Sequence, residues 1–219
     1  MLRLLILLAV VLLGVYYFFP ESVEQVVEEG GDSISRAVDG VTGAAGGEAS
    51  VSLVPSDTTP LETELIDAAG KGEVARVREL IARGANVNGR GTDGATPLIA
   101  AAVAGHRATF ELLLEAGAEV DARDSRGRTS LLLVSSRGES ELARRLLDAG
   151  ADPDIKSNTG NFALLEASRY GSAEVTRLLL AAGADPNARA TNGWTALRTA
   201  EERGHTSVAS ILREAGARP

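Results

Sequence analysis

From residue 59 onward the apolar positions recur at helical spacing, and the whole pattern repeats every 33 residues. Leu65, Leu98, Leu131, Leu164 and Leu197 form one unbroken leucine column, and Leu80, Leu113, Leu146, Leu179 and Leu212 form another. Three glycine columns keep the same register, headed by Gly72, Gly84 and Gly94. A fixed period of this length, with two short apolar stretches per unit, predicts an all-α solenoid whose units bury their apolar faces only against their neighbours. The units fall at about 59–91, 92–124, 125–157, 158–190 and 191–219.

The second unit shows how the pattern specifies two helices. Thr96 is placed to cap the first, with Pro97 at its first position, where the missing N–H costs nothing. Leu98, Ala101 and Ala102 give one apolar stripe, and the alanines allow close approach of a neighbouring helix. Gly105 is suited to end this helix in the left-handed conformation. Phe110, Leu113 and Leu114 then mark a second helix, which Gly117 ends in the same way. All three glycine columns are expected to mark helix ends. The stretch from Ala118 to Asp124 is expected to loop out toward the next unit.

The N-terminal 58 residues follow a different pattern. From Leu4 to Phe19 no charged side chain interrupts the apolar run, and the tyrosine hydroxyls are its only polar groups. That is near the minimum of roughly 17–20 residues for a helix crossing the hydrocarbon core. The run ends in Tyr16, Tyr17, Phe18, Phe19 and Pro20, which suit a membrane interface better than a cleavage site. Residues 1–19 are therefore expected to form an uncleaved transmembrane or signal-anchor helix. Arg3 precedes it, and Glu21, Glu24, Glu28 and Glu29 follow it. This asymmetry predicts a single-pass protein of the inner (cytoplasmic) membrane with its repeats on the periplasmic or extracytoplasmic side. Residues 20–58 read as an acidic, Gly-rich flexible linker, and about 40 such residues span on the order of 35 Å.

Charge and composition narrow the function. Of the formal net charge of −8, residues 1–58 hold −6, because Arg3 and Arg36 face eight carboxylates there. The repeats are near neutral overall, which argues against a nucleic-acid partner. With no cysteine there is no disulfide framework, thiolate nucleophile or zinc–thiolate site. Twenty arginines against two lysines hint at a GC-rich bacterial genome.

The stretch ATPLIAAAVAGH followed by LLLEAGAEVDARD resembles the ankyrin repeat, and GADPDIKSNTG, GADPNARATNG and NGWTALRTAEERGH resemble it too. The resemblance covers about residues 59–219. It implies a helix-turn-helix-loop solenoid that binds proteins through its loop tips and the exposed side of its first helices, which together form a concave surface. By register this surface includes Arg90, Arg123, Lys156 and Arg189, one cation at the same point of four successive loops. Arg126, Arg128, Arg137, Arg169, Tyr170, Trp194 and Arg203 fall around them. Arginine and aromatic residues are frequent interface anchors, so the expected partner is a protein, of acidic character.

Departures from the repeat pattern carry their own expectations. Where the family often has a histidine after its Thr-Pro-Leu motif, this chain has Ile99, Leu132, Leu165 and Arg198, so apolar packing is expected to replace its inter-repeat hydrogen bonds. Phe162 takes the place of the threonine cap, which leaves the start of that helix unspecified. The outer faces of the terminal units are expected to be polar, through Glu62, Glu64, Asp67 and Arg76 at one end and Glu201, Glu202 and Arg213 at the other.

No constellation of residues points to catalysis. His106 and His205 share a column but lie three units apart, nearly 30 Å at about 9–10 Å per helix layer, so each reads as a structural residue at a helix start. Asn88, Asp121, Asp154 and Asn187 are expected to cap their own loop backbone. The sequence thus predicts a membrane-anchored adaptor or scaffold with no cofactor, metal or small-molecule substrate. The alternatives are a secreted effector or inhibitor released by signal cleavage, and an accessory subunit protecting a periplasmic enzyme.

Overall fold

The computed structural model describes residues 60–218. The anchor (1–19) and linker (20–58) expected from the sequence lie outside the described residues. Among the residues described, no helix is long and apolar enough to cross a membrane.

Among the described residues ten helices follow one another in five antiparallel pairs. They are α1 Pro60–Lys71, α2 Val74–Ala82, α3 Pro97–Ala104, α4 Arg107–Glu115, α5 Ser130–Arg137, α6 Ser140–Asp148, α7 Ala163–Arg169, α8 Ala173–Ala181, α9 Ala196–Glu202 and α10 Thr206–Glu214. The first helices of the units (α1, α3, α5, α7, α9) pack on one another in sequence, and each also packs on its own second helix. Both leucine columns are sealed: all ten members are 0–1 % exposed. Around them the core is mostly alanine and valine, which keeps the layers close.

The capping chemistry reproduces itself from unit to unit. The hydroxyls of Thr96, Thr129 and Thr195 accept hydrogen bonds from the amides of Ile99, Leu132 and Arg198 at 3.2–3.3 Å. Phe162 cannot accept such a bond, yet α7 starts in register at Ala163, because Phe162 is itself buried at 1 % exposure and anchors the helix by packing. Gly105 and Gly138 close their helices with φ of 77° and 71°.

The third glycine column does not mark helix ends. Gly94, Gly127, Gly160 and Gly193 sit in the turns of the long loops, where their amides donate to Gly91, Asp124, Ser157 and Ala190 carbonyls at 2.8–2.9 Å. The Asn/Asp column also differs from expectation. Asn88, Asp121, Asp154 and Asn187 accept from the amides of Glu119, Asp152, Asp185 and Arg218, each in the following unit, at 2.8–3.1 Å. In three of the four loops the backbone is capped instead by the side chain two residues earlier, Asn86 to Asn88, Asp152 to Asp154 and Asp185 to Asn187, all at 2.9 Å. Polar bonding between units therefore runs through the loops, joined by ion pairs between second helices such as Arg145–Glu111 at 2.6 Å, while Ile99, Leu132 and Leu165 are buried as expected.

Glu62 is not an outward cap residue. It is 8 % exposed and its carboxylate accepts from the Asn86 amide at 3.3 Å, packed beneath the first loop. The other terminal positions face solvent, and each end carries an ion pair between its two helices: Arg76–Glu64 and Arg213–Glu201, both at 2.6 Å.

One buried polar atom in α4 lacks a partner. Thr109 is 0 % exposed and its hydroxyl has no hydrogen bond among the described residues, whereas the last three units have Leu142, Val175 and Val208 at this position and the first has Arg76. Valine keeps the shape and removes the stranded oxygen. Thr109→Val is expected to stabilise the domain by about 1 kcal/mol, read as a higher denaturant midpoint with unchanged slope. A lower midpoint would show that the hydroxyl is satisfied.

Candidate functional site

The long loops and the exposed sides of α3, α5, α7 and α9 form one continuous face. Along it the four loop cations make a connected ladder. Arg90 donates to the Arg123 carbonyl at 2.7 Å, Arg123 to the Lys156 carbonyl at 2.9 Å and Lys156 to the Arg189 carbonyl at 3.0 Å. Arg189 turns back to the Gly193 carbonyl at 3.2 Å. All four side chains remain solvent-exposed. A carbonyl is neutral, so these bonds fix the cations in place without cancelling their charge. Arg90 is in addition paired with Glu119 at 3.7 Å, which leaves Arg123, Lys156 and Arg189 as the part of the row preorganised for an incoming anion.

The remaining predicted positions fall into two groups. Arg126 is exposed, as are Arg137 and Arg203. Arg128, Arg169 and Trp194 are held by internal partners. Arg128 grips the buried Asp124 at 2.6 Å, Arg169 pairs with the buried Glu166 at 2.9 Å, and the half-buried Trp194 ring lies 4.9 Å from the Arg198 guanidinium. Tyr170 stands out at 58 % exposure at the C-terminus of α7, and Val103 on α3 is 42 % exposed. These are the exposed large apolar side chains among the described residues, and both lie on this face.

A cleft of about 210 Å³ opens between the third and fourth units. Leu132 and Leu133 supply its apolar lining, and Arg128, Asn161 and the hydroxyls of Ser136, Ser157 and Thr159 its polar one. Glu166, 5 % exposed, lies against it, and Tyr170 stands beside it. Burial raises the Glu166 carboxyl above the usual carboxylate range, and the charges of Arg169 and Arg203 offset this only in part. Burial pushes Asp124 the same way, but the hydrogen bond and charge of Arg128 outweigh it and hold that carboxyl low. Neither Glu166 nor the cleft was among the residues expected from the sequence. The signal available was weak: the second, third and fifth units have Ala100, Leu133 and Thr199 in its column, but the first has Asp67, so an acid there does not single out the fourth unit.

Among the described residues no three His, Asp or Glu side chains gather as metal ligands. His106 and His205 occupy helix starts without capping them. His106 covers Gly72 of the preceding unit, where an added Cβ would lie 2.6 Å from the ring. His205 covers Gly171 in the same way and bonds the Arg169 carbonyl at 3.1 Å. Both are stacking residues between units.

No curated protein matches the sequence. A family model for ankyrin repeats, which holds three copies of the unit, matches residues 49–124 and again 131–219. These two spans include most of the chain and all five helix pairs, whose period, caps and loop bonding have just been described. The chain belongs to the ankyrin-repeat family, whose repeats suggest a protein-binding scaffold.

Proposed function

We propose that this protein is a non-catalytic, membrane-tethered scaffold that captures an acidic segment of another protein on its loop face, outside the cytoplasm. The observation that carries the binding part is an uneven distribution of neutralised charge. On the second helices and their caps, Arg76, Arg83, Arg144, Arg145, Arg177 and Arg213 are paired with carboxylates, leaving Arg78 and Arg107. On the loop face Arg123, Arg126, Arg137, Lys156, Arg189 and Arg203 have no carboxylate within ion-pair distance among the described residues. The excess positive charge of an almost neutral domain is thus concentrated where the exposed Tyr170 and Val103 lie, and that combination suits an acidic protein segment. The tether rests on the apolar run from Leu4 to Phe19 and on the glutamates that follow it.

The ladder cations bond the next loop, so serine at those four positions disturbs loop packing as well as charge. Arg126, Arg137 and Arg203 offer a cleaner test. Serine at all three is expected to leave helicity intact and to weaken binding of a glutamate-rich peptide to the full-length chain by about tenfold, since three exposed charge pairs contribute roughly 0.2–1 kcal/mol each. The residual binding should also be less sensitive to salt. Unchanged affinity would refute the acidic-segment reading. Protease added to spheroplasts should remove the repeats and leave the membrane-embedded end, and protection of the repeats would refute the extracytoplasmic placement.

A further inference from the structure

We infer that the cleft between the third and fourth units is a specificity pocket for one lysine or arginine side chain of the bound segment. This deepens the proposed binding role and rests on it. The inference follows from counting donors and acceptors in the cleft. The Ser136 hydroxyl already donates to the Leu133 carbonyl at 2.7 Å, leaving only its acceptor capacity. Ser157 and Thr159 share one hydrogen bond at 3.0 Å, and Ser157 also accepts from the Asn161 amide at 3.1 Å. Arg128 spends its Nε on Asp124 at 2.7 Å and an Nη on the same carboxylate. Arg169 reaches one oxygen of Glu166. The Asn161 side chain also donates to Glu166, and the unused N–H groups of Arg128 are the main donors left at the cleft. The acceptors left open are the Ser136 hydroxyl and the remaining lone pairs of Glu166, a carboxylate that burial has deprived of water.

A side chain that only donates fits such a lining, and lysine and arginine are the side chains with donors and no acceptor. Their aliphatic stems suit the Leu132 and Leu133 surface, and the exposed Tyr170 ring beside the cleft offers a face for the cation. An anionic or phosphorylated side chain would meet the Glu166 carboxylate, on which Arg169 is already spent, and of the arginines near that carboxylate Arg203 alone stays without an ion pair among the described residues. The cleft is also smaller than the roughly 300–1,000 Å³ of a drug-sized ligand pocket, which suits one long side chain. Tyr170 is the one aromatic residue of its column, beside Lys71, Ala104, Arg137 and Arg203, and it stands one helical turn from Glu166. The segment recognised in this way would carry acidic residues along the ladder and one basic residue at the cleft.

The test is a synthetic peptide array probed with the full-length chain in detergent. Each position of an acidic scaffold, and of a Ser/Gly scaffold in parallel, carries Lys, Arg, Leu, Glu or phosphoserine in turn. A single Lys or Arg at one preferred position of the acidic scaffold is expected to bind about tenfold more tightly than Leu there, the scale of a charge-assisted hydrogen bond. Glu166→Gln and Tyr170→Ala should each reduce that preference while leaving the preference for the acidic scaffold intact. The Tyr170 variant guards against a folding defect in the other, because its side chain is largely in solvent. No preference for a cation, a preference for Glu or phosphoserine, or a cation preference that survives both substitutions overturns the pocket. Equal binding to both scaffolds with the cation preference retained overturns the acidic-segment reading alone, and absence of binding to either scaffold overturns both.

Discussion

Replacing Phe110 by alanine is expected to cost the repeat domain about 3–5 kcal/mol. Phe110 lies on α4 at 0 % exposure, inside the continuous core that runs through all five units. Its column-mates are Val77, Ala143, Thr176 and Ala209, so the second unit alone fills this layer with an aromatic ring. Neighbouring leucines cannot close the gap without abandoning the helix spacing that the other columns maintain. The loss is also expected to be spatially uneven. In a solenoid each unit is stabilised mainly by its neighbours, so weakening the second unit loosens its contacts with the first and third. The first helix pair has the second as its only repeat neighbour among the described residues and should therefore unfold early. Hydrogen exchange should show α1 and α2 losing protection before α7 to α10, and denaturant unfolding should broaden as two-state behaviour breaks down. Phe110→Leu, which keeps most of the volume, should give a smaller loss of the same character. Uniform loss of protection across all five units would show that the array unfolds as one cooperative block.

The helical architecture was legible because it depends on short-range signals repeated five times. A threonine cap, a glycine at the helix end and leucines at helical spacing each reflect one unit's own backbone and core. Phe162 marks the limit of that reading. Side-chain capping is absent there, but burial of the ring holds the helix start in the same place. What the sequence hid was chemistry between units. Asn88 and its column-mates read as local loop caps, because a loop Asn or Asp commonly bonds its own backbone. In the fold the following loop comes near enough to take that bond instead, and the residue two positions earlier takes over the local task. Glu62 was hidden for the same reason, since only the folded loop above it turns a terminal glutamate into a buried acceptor.

The candidate site was legible to about the same depth. Register alone placed the four ladder cations in a row. It could not show that each donates to the next loop's carbonyl, since that bond requires the stacking distance. Nor could it show that Arg128 and Arg169 are turned inward onto Asp124 and Glu166, which leaves Arg126, Arg137 and Arg203 as outward cations on the same face. The face is therefore divided by function: some arginines build the site and others remain to meet a partner. Sequence position does not separate the two kinds. The presence of a buried carboxylate within reach does.

Gly94→Ala is expected to destabilise the domain by about 2–4 kcal/mol, well beyond the 1–2 kcal/mol that the left-handed backbone alone imposes on a residue with a Cβ. Gly94 has φ of 73°, and an added Cβ would lie 2.7 Å from the Ser125 amide nitrogen and 3.2 Å from the Asp124 carbonyl carbon. These are backbone atoms of the next loop, and Ser125 is tied to this one by its hydrogen bond to the Asp93 carbonyl at 2.9 Å. The methyl group cannot be accommodated by a rotamer change; the loops must part, and the hydrogen bonds between them must lengthen. The same approach recurs at Gly127 and Gly160, whose added Cβ atoms would meet the amide nitrogens of Asn158 and Thr191 at 2.9 and 2.6 Å. Gly193 supplies the control. Its φ is 79°, but nothing lies within 4 Å of its added Cβ, because among the described residues no loop stacks on it. Gly193→Ala should therefore incur the backbone strain alone, and the difference between the two variants measures what contact between loops contributes. Equal losses at Gly94 and Gly193 would mean that the loops yield freely. In that case the cation ladder, which spans the same junctions, would not be held rigid for a partner.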